Sequence, residues 1–417
     1  MHRNWCSHCS RKRRQKTKTI IKNGSVVTPE GVLEGFDVIL DGERIESIIP
    51  SGSVDTKEVN VMDADGGWVM PGLIDIHADF IENMAAPRPT SILDMGMAFR
   101  EAERILAVQG ITTMFHSISF ISKLHAFSSP IRAPELTRKL LTEISDSHSR
   151  KHLIHHRFHA RFELDSVDRI EEIQQYIREG KIHLLSIMDH TPGQGQYRDM
   201  NVYRDTMKKW KNLDDESVER LVTAVQNRAM LGLEEVTTLT DLAHEYGIAV
   251  ASHDDDTIEK LDVVQAFGSD ISEFPITLEV AREARRRGMY SVAGAPNVLL
   301  GGSHSGNLSA AEAVDLGVVD VLCSDYYPAS LLRSVFKLHH DLEKPLHEMV
   351  NLVTINPARA VKIGQETGSL EPGKCADILV VRDAGDENGF HPTVSDVLVS
   401  GHHVLGTSYR SGQGGSR

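Results

Sequence analysis

The chain has 417 residues, 40% of them apolar and 25% charged, and a mean hydropathy of −0.24. That is enough apolar material for a large core and excludes a disordered protein. Formal charge is −14, and because residues 1–18 hold seven Lys or Arg and no acid, the remainder carries −21; such acidity argues against a general nucleic-acid surface, which needs clustered cations.

Residues 1–18 are read as a basic, disordered tail. Within it Cys6 and Cys9 form a CxxC with His8 between them and His2 nearby, half of a zinc site with no second CxxC or HxxxH to complete it. No apolar stretch reaches the roughly 20 residues that span a bilayer, and none follows the basic start as a signal peptide would require. The other cysteines, Cys323 and Cys375, are too scattered for a disulfide framework, so a cytoplasmic protein is expected, with neither nucleic acid nor membrane as partner.

Residues 19–70 alternate short apolar runs with turn signals, among them Asn23-Gly24, Pro29-Glu30-Gly31 and Asp41-Gly42, which predicts strands. The same style returns over 362–408 in GSLEPGKCADILVVRD and VSDVLVSGHHVLG. One small β-sandwich built from both chain ends is expected, with 409–417 a flexible C-terminus. Over 71–361 apolar runs alternate with helical stretches, the pattern of repeated βα units. The predicted strands end at His77, Ser119, Glu163, His190, Asp254, Pro275, Pro296 and Tyr326. Eight such units predict an α/β fold of the TIM-type (β/α)8 barrel class, with its chemistry on the loops after the strands. A doubly wound sheet competes, but no GxGxxG follows the first strand. The stretch Tyr197–Gly247 is long for one connection and predicts extra helices over the mouth.

Metal-competent side chains follow the apolar runs. LIDIHAD puts His77 and Asp79 two apart, on one face of an extended backbone. RFHARFE ends in Glu163, LLSIMDH in His190, IAVASHDDD contains His253 and VDVLCSDYYP contains Asp325. One such histidine alone reads as a hydrogen-bonded core residue. Six imidazoles and carboxylates at strand ends read as a metal centre suited to Zn2+, Mn2+ or Fe2+, with ligands enough for two ions sharing a bridging carboxylate. His152, His155, His156, His339 and His340 lack that placement and read mostly as surface or packing residues.

VMPGLIDIHAD, the flanking β segments and TINPARAVKIGQETGSLEPGKCADILVV resemble the metal-dependent amidohydrolase superfamily, over residues 18–406. Five longer motifs narrow the resemblance: HADFIENMAAPRP, MDHTPGQGQYRD, ASHDDDT, GAPNVLLGGSHSGN and SDYYPASLL. They are similar to the PhnM-like α-D-ribose 1-methylphosphonate 5-triphosphate diphosphatases of the carbon-phosphorus lyase pathway. The resemblance implies a divalent cofactor, one or two ions of Zn2+ or Mn2+. It also implies that His77 and Asp79 hold one ion, Glu163 bridges, His190 and His253 hold the second, and Asp325 binds or faces the nucleophilic water as general base. Two departures from many superfamily members stand out: HxD replaces HxH, and a glutamate stands where a carboxylated lysine is common.

The substrate side has its own signals. GGSHSGN follows the seventh strand, where such barrels recurrently bind phosphate, and Gly301, Gly302, Ser303, His304, Ser305 and Asn307 are the candidates there. A triphosphate also needs cations, and Arg88, Arg161 and Arg198 are the candidates for bidentate contacts. The expected reaction is phosphoanhydride hydrolysis of a small sugar phosphonate, giving pyrophosphate and the 5-phosphate. Hydrolysis of a C–N bond, by a deacetylase or cyclic amidase, is the competing chemistry, since one metal-hydroxide site can serve either. A catalytically silent barrel is a third reading, against which the six ligand types speak. The resemblance makes a homodimer possible, since members of this architecture are often dimeric, although the sequence itself does not give the oligomeric state.

Overall fold

The computed structural model describes residues 18–57, 59–88, 90–122, 130–191, 200–211, 214–302, 308–385 and 389–409. Among them, strands from both chain ends form one eight-stranded sheet: β1 (Lys18–Thr28), β2 (Gly31–Asp41), β3 (Arg44–Pro50), β4 (Asn60–Asp63) and β5 (Trp68–Pro71) with β14 (Ile378–Asp383), β15 (Pro392–Val399) and β16 (His402–Gly406). The order is β16-β15-β14-β5-β1-β2-β3, with β4 also on β1. The two ends join at β5, which runs antiparallel to β14 and parallel to β1. Alternating apolar residues make this possible: Ile21, Val26, Val38, Leu40, Ile45, Val69, Ile378, Val380 and Leu398 form one buried cluster.

The second sheet contains β6 (Leu73–Ala78), β7 (Ile111–Phe120), β8 (His155–Glu163), β9 (Leu184–Met188), β10 (Ala249–His253), β11 (Ile271–Glu273), β12 (Tyr290–Gly294) and β13 (Val321–Cys323), each parallel to its chain neighbour. Each predicted strand end falls within three residues of the observed one. A parallel bridge between Ala78 and Asp325 closes β13 onto β6: the Asp325 N–H donates to His77 O at 3.0 Å and the Asp79 N–H to Asp325 O at 2.9 Å. Lower down the seam, segment 352–353 is spliced in, its carbonyls accepting from Leu322 and Ile74. The result is a (β/α)8 barrel, and the open doubly wound alternative does not occur.

Helices 95–108, 134–147, 170–178, 233–245, 258–266, 278–286 and 310–315 return the chain between successive strands, and 330–341 follows β13. Side chains such as Asp94, Thr257, Thr277 and Ser309 start four of them by accepting from the backbone N–H three residues on. Strand residues alternate between lumen and helix layer. On β8, Phe158, Ala160 and Phe162 join the helix-facing core, whereas His159 contacts Ser117, Ser186 and the Ile76 carbonyl inside the lumen. Between β9 and β10 the chain adds helices 200–211 and 215–226, which share a small core of Tyr203, Met207, Val218, Leu221 and Val222. Their return is tied to the C-terminal face of the barrel by Arg228 Nη1 on Asp165 Oδ2 at 2.8 Å. Gly110 sits at φ 83° where sheet and barrel meet, and a Cβ there would lie 2.8 Å from Leu379 Cδ1. No helix among the described residues is long and apolar enough to cross a membrane. The CxxC tail and the C-terminal segment from 410 lie outside the described residues.

Candidate metal centre

The strand ends at the C-terminal face are bent in a common way. Asp254, Phe274 and Asp325, each just past β10, β11 or β13, are non-glycine residues at φ 53°, 56° and 58°. Such backbone is sterically costly and persists only where the surroundings enforce it. Here each N–H still bonds the neighbouring strand, to Glu273 O, Val292 O and His77 O at 2.8–3.0 Å. The ladder is kept while the turn re-aims the side chain. On β6 a bulge does similar work: Asp75 pairs with Met114 and Ala78 with His116, leaving one extra residue between. His77 thereby enters the lumen, while Asp75 stays at the seam and accepts from Ser324 N (3.1 Å), Ser324 Oγ (2.5 Å) and His77 N (3.3 Å).

Two clusters of ligating groups result, one above the other. In the outer one, His190, His253 and Asp254 bring ligand atoms within 4.8 Å of one another. Glu163 Oε1 lies 2.7 Å from His190 Nδ1, and Asp254 Oδ2 lies 3.8 Å from His190 Nε2 and 3.1 Å from His253 Nδ1. In the inner one, His77, His159 and Glu273 are fully buried or nearly so. There Glu273 Oε1 lies 2.9 Å from His77 Nδ1, Oε2 accepts from Ser186 Oγ at 2.6 Å, and Ser186 Oγ lies 2.5 Å from His159 Nε2.

Hydrogen-bond accounting separates the clusters. Every ligating group of the inner one has a partner within the network. Among the described residues, the outer one leaves both ring nitrogens of His253 and Asp254 Oδ2 buried with no hydrogen bond, and Asp79 Oδ1 is in the same condition. Unpartnered buried polar atoms are costly, and two carboxylate oxygens beside the one lone pair of a neutral imidazole are what a divalent cation satisfies. The donor set of imidazole and carboxylate fits such an ion, while the inner cluster has the form of the hydrogen-bonded shell that orients ligands from behind.

Burial opposes charge on Glu163, yet His190 and Arg161 hold its carboxyl below the usual range. Burial likewise opposes charge on Glu273, but His77 and His159 hold it far below. An ionised Glu273 only accepts, so His77 carries its proton on Nδ1 and keeps the Nε2 lone pair for a ligand. Asp325 moves the other way: burial raises it, with Asp79 adding to the rise.

The six predicted ligands lie on one face. His77 and His253 have ring centroids 5.5 Å apart, and His190 and His253 5.6 Å. Asp325 is within electrostatic reach of His77, Asp79, Arg161 and His253, and Asp79 Oδ2 lies 3.7 Å from Arg132. Glu163, His190 and His253 belong to barrel positions three, four and five, as the strand count implies. Of the predicted cations, Arg161 is inside the site, and Arg88 is exposed beyond helix 80–85. Gly301 and Gly302 end helix 295–300, at φ 76° and 158°. Arg198, Ser303, His304, Ser305 and Asn307 lie outside the described residues. Sequence reasoning missed Asp254, His159, Glu273 and Arg132. Period-two alternation from Glu163 back through Arg161 leads to His159, a signal that was available.

The amidohydrolase family model matches residues 187–404. The chain is 33% identical over 369 residues to the α-D-ribose 1-methylphosphonate 5-triphosphate diphosphatase of Escherichia coli strain K12, covering 87% of this chain and 94% of that one. Among solved structures, the A. niger ochratoxinase aligns with a TM-score of 0.62 at 16% identity, covering 94% of this chain and 96% of that one. The N-acetylglucosamine-6-phosphate deacetylase of Pasteurella multocida aligns at 0.57 and 13%, covering 93% and 99%. At such identities the structures speak for the fold alone. The family match and the long relative go further, and the chain belongs to the amidohydrolase family.

Proposed function

We propose that this hydrolase cleaves α-D-ribose 1-methylphosphonate 5-triphosphate between its α and β phosphorus atoms, giving the 5-phosphate and pyrophosphate. The observation that carries the reading is the 33% identity to a diphosphatase of that name over 94% of its length. The outer cluster and Arg161 are consistent with it.

His77, Asp79, Glu163, His190, His253 and Asp325 would hold one or two divalent ions, Zn2+ or Mn2+. When bound, such an ion supplies Lewis acidity towards a phosphoryl oxygen. The chain's own residues do the rest. Asp325, its carboxyl raised by burial, accepts a proton from the attacking water as general base. The new bond joins that water's oxygen to the α-phosphorus, and the broken one joins the α-phosphorus to the oxygen bridging to β, which leaves on pyrophosphate. Glu163 holds His190 by its Nδ1. Arg161 faces the phosphoryl oxygens, with Arg88, Arg198, Gly301, Gly302, Ser303, His304, Ser305 and Asn307 as further contacts to the substrate.

The test is pyrophosphate release from the ribose triphosphate by purified protein, before and after chelation, with metal content measured alongside. Chelator-sensitive release supports the reading. Metal-loaded protein that releases no pyrophosphate but turns over amides would move the activity to C–N hydrolysis, the chemistry that the deacetylase with the same fold is named for.

A further inference from the structure

Arg132 stands in the short helical turn 130–132 after β7, on the face where the barrel does its chemistry. Its Nε donates to both oxygens of Glu82, at 2.8 and 3.2 Å, and Glu82 is only 7% exposed. That contact uses one of five N–H donors. Nη2 is 3.7 Å from Asp79 Oδ2, too far for a hydrogen bond, and neither Nη atom has an acceptor among the described residues. Arg161 is in the same condition, since its one side-chain hydrogen bond among the described residues is Nε on the Met188 sulfur at 3.3 Å. The two guanidiniums sit on the same side of the site, because Glu82 and Glu163 are each within electrostatic reach of both. An arginine whose purpose was to neutralise Asp79 would be expected to close on it with a planar pair of bonds.

We infer that Arg132, held by Glu82, is an anion-binding residue that with Arg161 receives the oligophosphate tail of the substrate. This rests on the diphosphatase reading and deepens it by naming a binding group that the sequence did not single out. Guanidinium matches phosphate oxygens two at a time. With its Nε occupied, Arg132 presents the Nη1–Nη2 edge, one rigid fork. Glu82 acts as its positioning residue, fixing the plane of that fork.

The test uses the full-length metal-loaded protein with magnesium pyrophosphate as calorimetric probe and, separately, the ribose triphosphate as substrate. Arg132→Gln is expected to weaken pyrophosphate binding and raise KM by about 10- to 100-fold, the range for losing hydrogen bonds to a charged group. Arg132→Lys should recover part of it by charge alone, and Glu82→Gln, which frees the fork, should fall between wild type and Arg132→Gln. Metal content should stay at the wild-type value in all three. Unchanged pyrophosphate affinity in Arg132→Gln overturns the inference. So does a loss of metal that accounts for the weaker binding, because the residue would then act through Asp79; so does wild-type protein that binds no pyrophosphate. Pyrophosphate release by the wild type reports on the reaction independently. Release with an Arg132-independent KM would sink the inference alone, and Arg132-dependent binding without release would sink the diphosphatase reading alone.

Discussion

Removing Glu273 tests whether the inner cluster positions His77 or is itself an ion site. Its carboxylate is fully buried and receives His77 Nδ1 at 2.9 Å and Ser186 Oγ at 2.6 Å. Glu273→Ala would strand both donors in a place water does not reach. At about 1–3 kcal/mol per buried unsatisfied group, about 2–6 kcal/mol of stability is lost. Glu273→Gln behaves differently: its amide oxygen can take the His77 proton while its NH2 donates to Ser186 Oγ, whose own proton turns to His159. That variant should lose only about 1 kcal/mol. If the cluster orients a ligand, Glu273→Ala lowers metal affinity by about 10- to 100-fold with unchanged stoichiometry, and Glu273→Gln keeps most of it. Urea unfolding of the apo protein and metal titration of the holo protein measure the two effects. A Glu273→Gln protein that loses one bound ion outright would refute the positioning role, and a Glu273→Ala protein as stable as wild type would refute the hydrogen-bond accounting.

Asp325→Asn should abolish pyrophosphate release while leaving urea stability nearly unchanged, because Asn tolerates the left-handed backbone at φ 58°; full activity would remove Asp325 from proton transfer. Burial raises Asp75 to about 6, against the hydrogen bonds it accepts from Ser324 and His77. A carboxyl raised in the folded state stabilises below its unfolded pKa and loses that contribution as pH rises through the folded one. Apo stability should therefore fall by about 3 kcal/mol from this group between pH 4 and 6, and Asp75→Asn should erase that slope in chemical denaturation. His116 and His156 have the opposite sign: burial pushes both well below 6.5, so the unfolded chain takes up protons first and stability drains away as pH falls below about 6.5. His116→Asn should flatten that acid limb by up to about 1.4 kcal/mol per pH unit, and an unchanged limb would show that His116 is not held neutral.

The barrel was legible because most of its strands are apolar runs bounded by turn residues, and such a run survives whichever way the side chains face. Ligands on long, regular strands were legible for the same reason: Glu163 closes a nine-residue strand, and His77 and Asp79 follow the buried run 69–76 on β6 and its approach. Glu273 was not. Its strand is three residues long, set in SDISEFP, where the turn residues outnumber the apolar ones. Asp254 was one of three consecutive aspartates, and only the backbone tells them apart. Asp254 turns to His253, whereas Asp255 accepts from Ser252 Oγ and Ser272 Oγ at 2.6 and 2.5 Å beneath. Arg132 comes from a connection with no periodicity, and what marks it is that its Nη atoms have no acceptor among the described residues, a property of three-dimensional surroundings that spacing does not encode.

Backbone strain is the other quantity a sequence hides, and Asp325 allows it to be weighed. A non-glycine residue in the left-handed region costs about 1–2 kcal/mol, and here the penalty falls on a carboxyl that burial already disfavours in its charged form. Both costs vanish in Asp325→Gly, against a loss of about 0.5–1 kcal/mol for the freer unfolded chain. The N–H to His77 O that closes the barrel is a backbone contact and survives the change. The apo glycine variant should therefore be at least as stable as the apo wild type, and more stable than Asp325→Asn, while releasing no pyrophosphate. With metal added the order should reverse, since only the wild type keeps the carboxylate as a ligand. A glycine variant that is less stable than wild type even in the apo state would mean that the carboxylate stabilises the barrel itself, and that the bend after β13 serves the fold before it serves the chemistry.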